Sequence, residues 1–239
     1  MTAVVSPRRT NADRPLSIAV AIVVALVVFL GFSQTFYLRG FVGSPGLSNL
    51  LLIHGVVMTS WIALLIAQVW LVAAGRTDLH RRLGIVGACI ALLVLIVGVT
   101  AAVDAGRRGF SPSPQVTPLA FMAVPIIDVI VFAILVGVAL LNRRRSATHK
   151  RLMLLATLGI LTPAVARLPI DSLKQAGLPA FFGVTVFCVI AVVLWDTIRN
   201  RRLHPAFAWG GAFLIASIPF RIFLSQTAGW ASAARWLIS

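Results

Sequence analysis

No glutamate occurs anywhere in the 239 residues, so six aspartates are the only side-chain carboxylates. HExxH, GxSxG and P-loop patterns are missing too, and with them the usual signatures of metalloproteases, serine hydrolases and nucleotide hydrolases. The sequence gives no ground for expecting an enzyme. Cysteine is nearly absent. Cys89 and Cys188 lie in apolar stretches without CxxC spacing, where they fill space and imply no redox compartment. No long linker or low-complexity tract interrupts the chain, and the stretch 111–118 (SPSPQVTP) reads as a stiff outer loop. Charge is scarce: 11% of residues, against roughly a quarter in soluble domains.

What fills the chain is apolar. Hydrophobic residues make up 59%, with a mean hydropathy of +0.99. Seven segments have about the 20 residues needed to cross a hydrocarbon core: 16–37, 47–74, 83–105, 119–141, 152–169, 179–198 and 206–229. The expected class is an all-α, polytopic membrane protein of seven transmembrane helices. A basic N-terminal tail (residues 1–15) precedes a single transmembrane domain (residues 16–239). The first apolar run is longer than a signal-peptide core and has no clear cleavage site, so it counts as helix one.

The 21 Lys and Arg residues sort by loop. Three precede helix one, three lie between helices two and three, five between four and five, and three between six and seven. The other loops and the tail hold five, and Arg167 and Arg221 fall inside apolar segments. Short cytoplasmic loops retain positive charge, which places the N-terminus inside and the C-terminus outside. The net charge of +15 has this origin, and its expected partner is the anionic headgroup layer of the cytoplasmic leaflet, not nucleic acid. Trp70, Trp195 and Trp209 near inner ends, and Tyr37, Trp230 and Trp236 near the outer boundary, agree with an aromatic belt.

Helices two–three, four–five and six–seven form three hairpins. Each returning helix begins near a histidine in a basic setting: His80 in RTDLHRRLG, His149 in SATHKRLML and His204 in NRRLHPAFA. One reading is a threefold repeat added to helix one, with a pseudo-axis along the membrane normal. The other is that basic residues gather at cytoplasmic helix starts and Ser, Thr or Asp cap them.

Counting about 1.5 Å per residue, His54 lies roughly 10 Å below the outer end of helix two, and Arg167 and Arg221 roughly 22 Å above the inner ends of helices five and seven. In a core about 30 Å thick these depths nearly coincide, with Asp128 close by near the midplane. An ionised residue at mid-helix costs about 2.5–3.5 kcal/mol on insertion scales and normally faces a partner, protein or water. Asp128 can neutralise one arginine, which leaves one positive charge for an anionic ligand group, a wet vestibule or snorkelling toward headgroups. Pro125, Pro163 and Pro219 precede Asp128, Arg167 and Arg221 by a few residues, and kinks there would open a cavity.

On helix two, His54, Met58, Trp61, Leu65 and Gln68 follow helical spacing along one face, able to contact a flat ligand or to pack against other helices. These residues define a candidate ligand site of His54, Met58, Trp61, Asp128, Arg167 and Arg221 for a lipophilic anionic or quinone-like molecule. Arg167 and Arg221 would hold the anion, Asp128 would orient one arginine, and His54 would exchange a proton. A second reading assigns His80, His149 and His204 to a metal site, or two of them to a haem. His54 has no histidine mate at its own depth, which leaves it a haem ligand only alone, as in a five-coordinate site; either way this second reading makes the chain a haem- or metal-dependent redox or cytochrome oxidase assembly protein. A third reading is a scaffold with no ligand.

The strings HGVVMTSW (residues 54–61), TDLHRRLG (77–84), HKRLMLLATLGILTPAVARLP (149–169) and HPAFAWGG (204–211) together resemble a widespread family of uncharacterised bacterial seven-helix membrane proteins. The resemblance extends over most of the chain and implies this fold and a bacterial inner-membrane location. The HRRLG turn is also similar to motifs in small membrane proteins linked to haem A and cytochrome oxidase assembly, which would imply haem.

Overall fold

The computed structural model describes residues 14–112 and 116–239. The basic tail lies almost wholly outside them, as does the middle of the loop 111–118. Among the described residues all regular structure is helical: α1 (Arg14–Phe32), α2 (Asn49–Ala73), α3 (Thr77–Arg107), α4 (Pro118–Leu141), α5 (Ser146–Gly159), α6 (Thr162–Val165), α7 (Asp171–Asn200), α8 (Pro205–Ser225) and α9 (Ala228–Ile238). A π-helical turn over Ser33–Tyr37 extends α1.

Six of these helices, with α1 taken through its π turn, are long and apolar enough to cross a membrane. The surface agrees: Ile85, Phe187, Ile198 and Phe223 are each at least 70% exposed on helix faces, as no water-soluble bundle would leave them. Trp70, Trp195, Trp209 and Trp236 are exposed as well.

Local chemistry sets the helix starts. Ser48, Thr117 and Thr227 each accept a hydrogen bond from the backbone N–H three residues on, capping α2, α4 and α9. At α8 the cap is His204, whose Nδ1 accepts from the Ala206 N–H at 3.1 Å.

The core lies around α5. Leu152, Leu154, Leu155, Ala156 and Leu158 are buried, and the helix packs on α1, α4, α7 and α8. Trp61, Phe132 and Phe207 complete this core from α2, α4 and α8.

The apolar segment 152–169, expected as one uninterrupted span, is instead broken. α5 ends at Gly159, and a four-residue turn, α6, follows. Pro163 has no N–H to offer the carbonyl of Gly159 and its ring would clash there, so the helix cannot continue. Arg167 consequently lies beyond the helical turns. Gly31 of α1 receives this break, because a Cβ at that position would collide with the Ala164 carbonyl oxygen.

Pro125 and Pro219, by contrast, sit inside unbroken α4 and α8. The other interruption is in α7, where Gly177 adopts φ 67° and ψ −152° two residues before Pro179. α9 was not expected: its 11 residues are too few to span, and it packs its buried Ala234 against α3 and α4.

Candidate functional site

Asp128 and Arg221 meet. Arg221 Nη1 donates to Asp128 Oδ1 across the α4–α8 contact, and both residues are buried. The rest of the guanidinium is occupied from its own helix: Nε donates to the Ser217 carbonyl at 3.0 Å and Nη2 to Ser217 Oγ at 2.6 Å. Phe182 of α7 presents its ring 5.3 Å from the guanidinium carbon. A charge pair so completely surrounded joins three helices. It has little capacity left for a ligand.

Arg167 stands apart from that pair. It is exposed, its Nη1 donates to the Pro163 carbonyl at 2.9 Å, and its guanidinium carbon lies 5.0 Å over the Phe32 ring of α1. It has no carboxylate partner among the described residues. Its charge acts on His54 of α2, against whose ring the Val97 backbone also lies. His54 Nδ1 is buried with no hydrogen-bond partner. The expected four-residue polar layer therefore divides: Asp128 and Arg221 close on each other, while Arg167 and His54 lie outside that pair.

The helix-two stripe faces inward as the spacing predicts. Trp61 is 1% exposed, with its Nε1 donating to Thr157 Oγ1 at 3.2 Å and its ring edge-on to Phe132 at 4.9 Å. These contacts make Trp61 a packing residue linking α2, α4 and α5. Met58, one turn nearer His54, is half-buried against the core.

At the other end of the bundle, His80 and His149 come together with ring centres 6.4 Å apart and planes at 84°. His149 Nδ1 lies 2.8 Å from the Ala139 carbonyl, while His80 Nδ1 is buried without a partner. His204 is engaged as the α8 cap. No group of three or more His, Cys or Asp side chains is positioned to hold a metal among the described residues.

Sequence reasoning missed a second buried ion pair. Arg151 of α5 donates from Nε to Asp196 Oδ2 at 2.9 Å and from Nη2 to Oδ1 at 2.7 Å, and both side chains are buried. Arg151 also donates to the Ala147 carbonyl and lies 5.6 Å from the Phe207 ring centre. Near a helix start among other basic residues, Arg151 has the local signature of a topology signal. The available clue was Asp196, the only acid in the apolar part of α7. A threonine pair, Thr162 Oγ1 to Thr185 Oγ1 at 2.9 Å, ties the α5–α6 break to α7.

Comparison with protein-family models, with curated proteins and with solved structures gives no match.

Proposed function

We propose that the protein is an integral protein of the bacterial inner membrane that binds a lipophilic anionic or quinone-like molecule in the outer leaflet, between Arg167 and His54. One observation carries this reading: a guanidinium in an otherwise apolar segment has a single backbone carbonyl and a phenyl face for company. An ionised side chain within a bilayer is costly and normally has a counter-charge or water. A carboxylate, phosphate or carbonyl oxygen on a membrane-soluble ligand supplies it, and the planar donor fork of arginine suits such groups.

His54 supports the reading with its buried, unpartnered nitrogen, which can accept a proton from the ligand or donate one to it. Met58, one turn along the same helix face, contributes an adaptable apolar wall. Asp128 and Arg221 serve indirectly, by fixing α8 against α4.

The accompanying topology has seven crossings, with α5 and α6 together forming the fifth. The N-terminus is cytoplasmic and the C-terminus external, so the basic clusters at the α2–α3, α4–α5 and α7–α8 turns face anionic headgroups. Helix α1 precedes three hairpins of common orientation.

Thermal unfolding of the purified protein in detergent, with oleate and decylubiquinone as probes, tests the site. Binding to the folded state raises the midpoint as ligand concentration rises. The expected result is a shift with one of the probes that Arg167→Gln abolishes and Lys174→Gln leaves intact. No shift with either probe, or an undiminished shift in Arg167→Gln, contradicts the assignment.

A further inference from the structure

We propose that His80 and His149 bind a copper(I) ion where the α2–α3 and α4–α5 turns meet. The site is separate from Arg167 and His54 and does not depend on them.

The hydrogen bonding of His149 settles which nitrogen is available. A carbonyl oxygen only accepts, so the 2.8 Å contact to Ala139 requires the proton on Nδ1. Neutral His149 therefore carries its lone pair on Nε2. A backbone carbonyl holding the far nitrogen is the usual outer-shell arrangement of a metal-bound imidazole, fixing both tautomer and ring orientation. His80 matches it. The Gln68 backbone lies against its ring, while Nδ1 is buried and bonded to nothing.

The ring separation fits a shared ion. With metal–nitrogen bonds of about 2.0 Å, two imidazoles on opposite sides of one metal have centres roughly 6 Å apart, against the 6.4 Å between His80 and His149.

Charge selects the metal. The surroundings are basic, with Arg81 acting directly on His80. The nearest acid in sequence, Asp78, is exposed on the first turn of α3. Two neutral ligands leave a divalent ion uncompensated among arginines, so a monovalent ion is favoured. Imidazole suits copper, and thioether selects its soft cuprous form. Met153 stands one helical turn beyond His149 on the same face, and long helical side chains lean back toward the preceding turn.

Titrating the full-length detergent-solubilised protein with Cu(I) against bicinchoninate under reducing conditions tests this assignment. The expected result is one Cu(I) per chain with a nitrogen-ligated X-ray absorption edge. His80→Ala and His149→Ala should each weaken binding by more than about tenfold, while His54→Ala and His204→Ala leave it unchanged. His149→Ala also loses the Ala139 contact, so His80→Ala, and rescue by the soft ligand in His80→Met, carry the test if the former fails to fold. Undiminished Cu(I) binding in His80→Ala, tighter binding of Zn(II) than of Cu(I), or a Soret band lost on replacing either histidine would each overturn the proposal.

Discussion

Arg151 and Asp196 join α5 to α7 through two parallel hydrogen bonds of 2.9 and 2.7 Å, with almost no exposure of either side chain. Such geometry is the strongest an arginine and a carboxylate can make. Removing one partner strands the other as a buried charge, at a cost of about 3–5 kcal/mol, whereas replacing both by apolar residues of similar volume is often neutral. Arg151→Met and Asp196→Leu should each sharply lower the unfolding midpoint in detergent, and the double variant should recover most of the loss. Additive losses in the double variant would show that the two residues act separately.

Gly31 makes a second, independent prediction. A methyl group there meets the Ala164 backbone oxygen, which cannot rotate away as a side chain would. Gly31→Ala should cost about 1–3 kcal/mol, the scale of overpacking. Gly137→Ala is the matched control: it also sits mid-helix, in α4, with nothing within 4 Å of the added carbon, so it should be neutral or slightly stabilising. Fluorescence-detected thermal unfolding of the two variants makes the comparison.

His204 makes stability depend on pH. Burial and the nearby Arg151 charge hold its pKa below the ordinary imidazole value of about 6.5. The folded state thus binds fewer protons here than the unfolded chain, and its contribution is complete above that value and lost as pH falls through the lower folded pKa. Protonating Nδ1 removes the acceptor that caps α8, a loss of about 1 kcal/mol on the N-cap scale. Unfolding midpoints measured between neutral and mildly acidic pH should fall for the native protein. In His204→Ser, which keeps a cap that does not titrate, the His204 part of this fall should vanish.

The membrane class and most helix positions were legible because they depend on composition and on long apolar runs. That Asp128 would take one arginine was legible because lone charges in apolar helices must be matched, but the choice of Arg221 over Arg167 was not, since it depends on how α4 packs against α8. Arg167 was misplaced in detail, since counting assumed an unbroken helix and Pro163 ends it. Arg151–Asp196 stayed hidden because a basic residue near a helix end carries the same local signature whether it faces headgroups or the core. The meeting of His80 with His149 depended on how α3 and α5 each pack on α4, which no local pattern encodes. α9 fell below the length that marks a span.

The central claim is that Arg167 holds an anionic or carbonyl-bearing ligand. Its most direct test is mass spectrometry of organic extracts from protein purified in mild detergent, comparing the native chain with Arg167→Gln at equal folded yield. A stoichiometric lipophilic acid or quinone present with the native protein and depleted at least about tenfold in the variant is the predicted result. An identical extract from both proteins would contradict it.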